Sequence, residues 1–393
     1  MGGDHVCNSC GAGGMEIFHE QRNVPVHSVL LMPLREEAVN YPKGDIALGF
    51  CRDCGFISNV MFDPRKHEYS SRYEETQGFS STFTAFHRKL AGHLIDRYNL
   101  RGKYVVEIGC GKGEFLNLLC ELGGNRGVGF DPAYVSDRDH GGTNGRTTFI
   151  NDFYSEKYSG YKGDFIVCKM TLEHIHETSD FINTVRRSAG EDPATVVFFQ
   201  VPDVTRVLHD CAFEDIYYEH CSYFSPGSLA RLFRKCGFDV VDLYKDYDDQ
   251  YLMIEARPHS GNADNMLLSE NDMEILKRGV AHFAGKHLQK TVTWNRTLDE
   301  FRRNGRKVVL WGSGSKGVAF LTSLGVTDAV EYVVDINPYR QGFYMAGTGQ
   351  EIVAPEFLKE YRPDSVIVMN SIYRDEISRM LQGMGLTANL IAL

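Results

Sequence analysis

Tyr104-Val-Val-Glu107-Ile-Gly109-Cys-Gly111-Lys-Gly113-Glu-Phe-Leu is the stretch that decides how this chain is read. An apolar run enters a Gly-x-Gly-x-Gly turn and a helical pattern leaves it, the strand–turn–helix order of a doubly wound α/β fold. Glycines let the backbone bend sharply there and let a ligand approach the main chain. Val128-Gly-Phe-Asp131 reads as the next strand and ends in an acid 18 residues after Gly113, where a carboxylate accepts hydrogen bonds from a ribose diol. An acid closing the first strand, Glu107, with a third glycine at this spacing, favours S-adenosylmethionine over NAD. Asp152-Phe153, behind Phe149-Ile-Asn, stand where an acid and an aromatic flank an adenine.

Outward from that stretch the chain is ordinary in composition. Its 393 residues allow two or three domains, and 42% hydrophobic with 24% charged residues is globular. A net charge of −10 argues against a broad nucleic-acid footprint. No run of about 18 apolar residues predicts a membrane span, and no signal-peptide pattern opens the chain. A cytoplasmic protein with reduced cysteines is expected, and a monomer is expected too.

Four of the ten cysteines form two pairs near the front, Cys7-x-x-Cys10 and Cys51-x-x-Cys54, with 40 residues between them. Two such knuckles complete a tetrahedral Zn²⁺ site with no open position, a structural rather than a catalytic arrangement. A zinc-binding module over residues 1–66 is expected, because so small a unit needs a staple. Residues 67–100 read as helical, with Phe83, Phe86, Leu90, Leu94 and Ile95 on one stripe. The polar lead-in Tyr73-Glu-Glu-Thr-Gln-Gly-Phe-Ser-Ser81 is a candidate lid.

Alternating strands and helices continue to residue 258, so 67–258 is read as one cofactor domain. Phe165–Cys168 and Val197–Val201 read as strands, and Ser225-Pro226 as the start of a helix that stops at Gly237. Asp239–Tyr244 and Tyr251–Ala256 read as a closing strand pair. After a break at Arg257-Pro-His-Ser-Gly-Asn262, Ser269-x-x-Asp272 reads as a capping signal. It precedes a long helix or helix pair marked by Met273, Leu276, Val280, Phe283, Leu288, Val292 and Leu298. Residues 259–393 are thus a helical connector and a last domain. That domain opens with Val308-Val-Leu-Trp-Gly312-Ser-Gly314-Ser-Lys316-Gly317, and Val333-Val-Asp335 follows 18 residues beyond Gly317. By itself this is a Rossmann-type turn, equally suited to NAD and to a scaffold that binds no dinucleotide.

The densest set of reactive groups is Tyr217-Tyr-Glu219-His220-Cys-Ser-Tyr223-Phe, after the fifth predicted strand. His220 is the candidate base. Glu219 is placed to orient or strengthen it, and the Tyr217 hydroxyl to stabilise an oxyanion. Thr171-Leu-Glu173-His174-Ile-His176 follows the fourth strand, and Glu173 and His174 are candidates for the floor of the site. His176 reads as a surface residue, Cys110 as a small filler, and Cys221 beside His220 as no catalytic partner.

Taken together, the cysteine pairs, Glu107-x-Gly-Cys-Gly-x-Gly, Leu172-Glu-His174, Tyr217-x-Glu-His220-x-Ser-Tyr-Phe, Gly312-x-Gly314-x-x-Gly317, Asp335-x-Asn-Pro338 and Gly347-Thr348 resemble the S-adenosylmethionine-dependent sugar C-methyltransferases that act on nucleotide-linked deoxysugars. The resemblance covers nearly the whole chain. It implies an α/β protein with a zinc-binding module, a class I methyltransferase domain and a C-terminal Rossmann-like domain. It also implies that this last domain holds the nucleotide sugar rather than NAD, through Gly312, Gly314, Lys316 and Asp335, with Tyr223 near the sugar. The implied reaction is methylation beside a ketone, commonly at C3 of a 4-keto-6-deoxysugar, with His220 removing the proton and Glu219 and Tyr217 in support. Two stretches depart from the family pattern. Thr76 and Gln77 stand where a second tyrosine is usual, and Asp246-Tyr-Asp-Asp-Gln-Tyr251 replaces a Gly-Gly-Ser type of stretch. Three other readings remain open at this point: an O- or N-methyltransferase of another small molecule, a zinc-ribbon nucleic-acid methyltransferase, and a nucleotide-sugar binding protein or NAD enzyme.

Overall fold

The N-terminal segment builds a small antiparallel sheet. β1 (Glu16–Pro25), the short helix α1 (Arg35–Asn40), β2 (Lys43–Phe50) and β3 (Ile57–Asn59) follow in order, and β2 pairs with both of its neighbours. The computed structural model describes residues 5–66, 70, 72–136, 145–259, 266–326 and 328–393. Helix α2 (Ser81–Tyr98) leads into the central domain, capped by the Ser80 side chain, and its predicted stripe is buried. The helix expected over 67–100 begins only at Ser81. Residues 72–80 form an irregular strap, because tertiary contacts compete successfully for its backbone and side chains. Tyr73 bridges to Leu30, and the Glu74 carboxylate accepts a hydrogen bond from Asn337 Nδ2 at 2.9 Å.

The central sheet runs through β4 (Tyr104–Ile108), helix α3 (Glu114–Gly123), β5 (Arg126–Phe130), β6 (Thr147–Ile150), β7 (Phe165–Lys169), α4 (Thr178–Ala189) and β8 (Val196–Pro202). After α5 (Val204–Asp210), the two-residue β9 (Ser222–Tyr223) and α6 (Pro226–Lys235), it closes with β10 (Phe238–Asp246) and β11 (Tyr251–Pro258). The strand order is β10-β11-β8-β7-β4-β5-β6, with β11 antiparallel to both neighbours and the rest parallel. This is the expected Rossmann-like class I arrangement. Helices cover both faces, so successive residues of β4, β7 and β8 enter two different cores. Val106, Ile166 and Phe199 go to one core, and Val105, Phe165 and Phe198 to the other. The order reverses between β4 and β7, and a crevice opens at their carboxyl ends. Ser225 and Ser228 form a reciprocal capping box with Pro226 in the first turn of α6.

β9 does not join this sheet. Its Ser222 and Tyr223 pair with Ser58 and Ile57 of β3, and Asn59 N–H donates to the Cys221 carbonyl at 3.0 Å. The N-terminal sheet is therefore completed by β9, from the loop that carries His220, and crosses the boundary expected at residue 66.

The connector is a single 31-residue helix, α7 (Met273–Arg303). Leu276, Val280, Phe283 and Leu298 are buried, but Leu288 and Val292 are 65% and 47% exposed, so the predicted stripe breaks in mid-helix. Asp272 does not cap α7 with its side chain. Its carboxylate instead accepts from Gly227 N–H at 2.7 Å and Arg231 at 3.0 Å. Ser260-Gly-Asn262 of the expected break lie outside the described residues. Last come β12 (Val308–Trp311), α8 (Ser315–Leu324), β13 (Tyr332–Val334), β14 (Glu351–Val353), α9 (Leu358–Tyr361), β15 (Ser365–Val368), α10 (Arg374–Gly383) and β16 (Asn389–Ala392). They form a wholly parallel sheet in the order β14-β13-β12-β15-β16. Here too the order reverses beside the first strand, at Gly312.

Candidate active site

One cavity of about 460 Å³ joins the two switch points. Gly109, Gly111 and Asp131 line it from the central domain, and Gly312, Gly314, Lys316 and Asp335 from the last domain. Glu173, His174, Tyr217 and His220 line the same space, as do Thr76 and Gln77 of the strap and Gln250 and Tyr251 of the β10–β11 loop.

The first loop is shaped for close approach. Gly109, Gly111 and Gly113 all have positive φ, and a Cβ on Gly109 would meet Thr171 Oγ1 at 2.0 Å. Asp131 accepts from Gly111 N–H at 2.9 Å and Ala133 N–H at 2.7 Å, which holds the acid at the rim of the loop. Glu107 is 2% exposed, and its Oε2 has no hydrogen-bond partner. Burial pushes its carboxyl up to about 8. Gly113 starts α3 with its α-carbon against the Phe149 ring and is not part of the lining. Phe153 lines the cavity. Asp152 does not: its carboxylate accepts from Tyr158 Oη at 2.6 Å and pairs with Lys157 at 3.1 Å.

In the second loop a Cβ on Gly317 would meet the Gly312 carbonyl at 2.5 Å, so helix and strand pack in close contact. Asp335 accepts from Ser313 N–H at 2.9 Å and Asn337 N–H at 2.8 Å, and Arg340 lies 3.8 Å away. Lys316 Nζ is 2.5 Å from Asp215, which also holds Arg206 at 2.6 Å.

His220 is 4% exposed. Its Nε2 is 2.8 Å from Tyr217 Oη and 4.0 Å from Glu173 Oε1, and its ring packs edge-on to His174 at 4.8 Å. Burial holds the Tyr217 phenol neutral, well above its ordinary range. Tyr223 sits behind the base, with rings 6.2 Å apart, and does not line the cavity. Nor does Glu219, whose carboxylate faces the N-terminal module and accepts from Ser28 N–H at 2.9 Å.

Residues 83–243 match the family model "Methyltransferase domain", and residues 250–389 match "C-methyltransferase C-terminal domain". The chain is similar to the C-methyltransferase NovU of Streptomyces niveus, 27% identical over 309 residues that cover 74% of this chain and 72% of that protein. The chain is an S-adenosylmethionine-dependent methyltransferase whose last part matches a C-methyltransferase family model. Among solved structures, the 1,6-didemethyltoxoflavin-N1-methyltransferase of Burkholderia thailandensis, with bound S-adenosylhomocysteine, is 17% identical. The match covers 46% of this chain and 82% of that one, with a TM-score of 0.37. The magnesium protoporphyrin IX methyltransferase of Synechocystis PCC 6803 is 16% identical over 45% of this chain and 84% of that one, with the same TM-score.

Residues that the sequence did not single out also line the cavity of the methyltransferase. Lys169, at the end of β7, is 9% exposed and lies 2.8 Å from His87 Nε2. Burial lowers it to about 8, and burial with the neighbouring cation holds His87 neutral. Glu107, whose Oε2 has no hydrogen-bond partner, and Lys169 would suit the ammonium and carboxylate of a methionine moiety, so the site fits S-adenosylmethionine. Arg206, Asp215 and Arg340 were not legible because no local motif marks them and only the fold brings them to one cavity. Arg340 Nε is buried without a hydrogen-bond partner.

The four front cysteines of the methyltransferase converge away from the cavity. Cys7 and Cys54 sulfurs are 3.6 Å apart, as are those of Cys10 and Cys51, and all four lie within 4.8 Å of one another. Tetrahedral bonds of about 2.3 Å to zinc imply sulfur separations of about 3.8 Å, so the donor set fits that ion. The cluster rests on α6, where Arg231 Nε donates to the Cys54 carbonyl at 2.9 Å. His176, read as a surface residue, packs against Phe62 with ring centroids 5.7 Å apart, near Asn8. No helix among the described residues is long and apolar enough to cross a membrane.

Proposed function

We propose that this enzyme methylates the carbon beside the ketone of a nucleotide-linked keto-deoxysugar, with His220 as the base. The observation that carries this reading is the single cavity lined by both glycine loops and by His220. A methyl donor on the first loop and a nucleotide on the second would put a sugar between them. S-adenosylmethionine supplies an electrophilic methyl group on a sulfonium.

The protein's part is deprotonation and positioning. A ketone acidifies the neighbouring C–H, and His220 Nε2 would accept that proton. Tyr217 is neutral and already bonded to this nitrogen, so a sugar displacing it would receive its O–H as a hydrogen-bond donor. Fixing the reacting carbon against the methyl group supplies much of the acceleration. Lys316, Arg340 and the N-terminal turn of α8 would hold the diphosphate, and the cysteine cluster would hold a structural zinc.

Mass spectrometry of products from S-adenosylmethionine and a panel of nucleotide-linked 4-keto-6-deoxysugars tests the reading. The expected product is heavier by one methylene and has lost the proton next to the ketone. A methylated product that keeps that proton would move the acceptor to oxygen or nitrogen. No product across the panel, with the cofactor bound, would overturn the sugar class.

A further inference from the structure

Glu173 sits in the short turn Leu172–His174, just beyond the carboxyl end of β7. It lines the cavity and is 1% exposed, yet neither carboxyl oxygen has a hydrogen-bond partner. The titratable groups around it are His220 and Tyr217 from the loop after α5, His174 on its own turn, Cys221, Cys168 of β7 and Tyr251 of β11. No lysine or arginine among the described residues pairs with it. A buried carboxylate with no cation, and with only its own backbone N–H near enough to favour the charge, is costly, and the neutral acid is the cheaper form. Burial accordingly raises this group to about 8. A neutral acid brings one O–H, and this one belongs to a side chain that lines the cavity.

The geometry points to Glu173 as a protonated carboxylic acid that donates a hydrogen bond to the carbonyl oxygen of the acceptor, 4.0 Å from the base nitrogen of His220. This rests on the ketone reading above. The C–H bond breaks, its proton goes to His220 Nε2 and its electron pair enters the new C=C. The negative charge that develops on oxygen meets the Glu173 O–H. When the carbon takes the methyl group and the C–S bond breaks, the ketone reforms, Glu173 still holds its proton and His220 carries the one released. An acid kept neutral by its surroundings is a known way to build such a donor. The pair divides the work between one group that removes a proton and one that stabilises what remains.

Two measurements test this. An infrared difference spectrum between ligand-free wild type and Glu173→Gln, near neutral pH, should show the carbonyl stretch of one protonated carboxyl lost in the variant. Its absence overturns the proposal whatever the substrate. With a nucleotide-linked 4-keto-6-deoxyhexose as probe, Glu173→Ala should lower kcat about 100-fold with little change in KM. Glu173→Gln should stay within about tenfold of wild type, since the amide still donates. The wild-type rate should fall as the acid ionises near pH 8, and Glu173→Gln should lack that fall. A Gln variant as inactive as the Ala variant overturns the proposal. So does a second equivalent of bound metal, beyond that of the cysteine site, that disappears in Glu173→Gln, because Glu173, His174 and His220 would then be ligands. A wild type inactive on the probe refutes the keto-sugar reading instead, and the infrared result then decides on Glu173 by itself.

Discussion

Glu219 Oε2 lies 2.9 Å from the backbone nitrogen of Ser28, a hydrogen bond that ties the loop bearing His220 to the N-terminal module. Ser28 Oγ donates to the same carboxylate and is 2.8 Å from Ser315 Oγ at the start of α8, while His27 Nδ1 is 3.2 Å from Glu219 Oε1. The neighbour of the proposed base thus joins all three parts of the molecule. Its carboxylate faces the N-terminal module and does not line the cavity.

Glu219→Ala should therefore cost stability as well as rate. It strips the buried Ser28 N–H of its acceptor, a loss of about 1–3 kcal/mol. Urea unfolding should show that loss, and kcat should fall while cofactor affinity holds. Unchanged stability would contradict the joint.

His220→Asn should lower turnover by about 10²–10⁴-fold, the usual contribution of a general base, and leave cofactor binding intact because the first glycine loop is untouched. Calorimetric titration with S-adenosylhomocysteine alongside the rate assay separates the two. Full activity in the variant would remove His220 as base.

Cys51→Ser should lower the zinc content of the purified protein and its melting temperature. From the spacing of the cysteines alone, chemistry per folded molecule would be expected to survive. The pairing of β3 with β9 changes that expectation, because Ser222 and Tyr223 follow His220 almost directly. Specific activity of the soluble fraction should drop too. Unchanged zinc content would refute the metal site.

Glu173 binds its proton more tightly folded than unfolded, since burial raises it from 4.5 to about 8. The stability it contributes is complete below its unfolded value and is lost as pH rises through about 8. Wild-type melting temperature, measured by scanning fluorimetry, should decline across this window more steeply than that of Glu173→Gln. Equal slopes would show that Glu173 is ionised in the folded enzyme.

Much of the architecture was legible because its signals are local. The strand–glycine–helix units at Gly109 and Gly312, the Ser225-Pro226 helix start and the paired cysteines each depend on residues a few positions apart. Their hydrogen-bonding and φ requirements leave few alternatives. The helix expected over 67–100 fell short because Glu74 and Gln77 bond to Asn337 and Tyr373 of the last domain. The Asp246–Tyr251 departure likewise acquires its sense from afar. Tyr247, Asp248 and Asp249 all take left-handed φ, and Gln250 exchanges side-chain hydrogen bonds of 2.9 Å with Asn370.

The sequence by itself determined that two nucleotide-type loops, a four-cysteine cluster and a Tyr-Glu-His segment share one chain. Only the tertiary structure decided which of these side chains face one another. The turn closed by His220 N–H on the Tyr217 carbonyl splays adjacent side chains, so Glu219 turns to the N-terminal module while His220 turns to the cavity. The carboxyl that does approach the base, Glu173, lies 47 positions earlier in the chain. Local spacing reports backbone conformation, whereas the partner across a cavity is set by how sheets and domains pack.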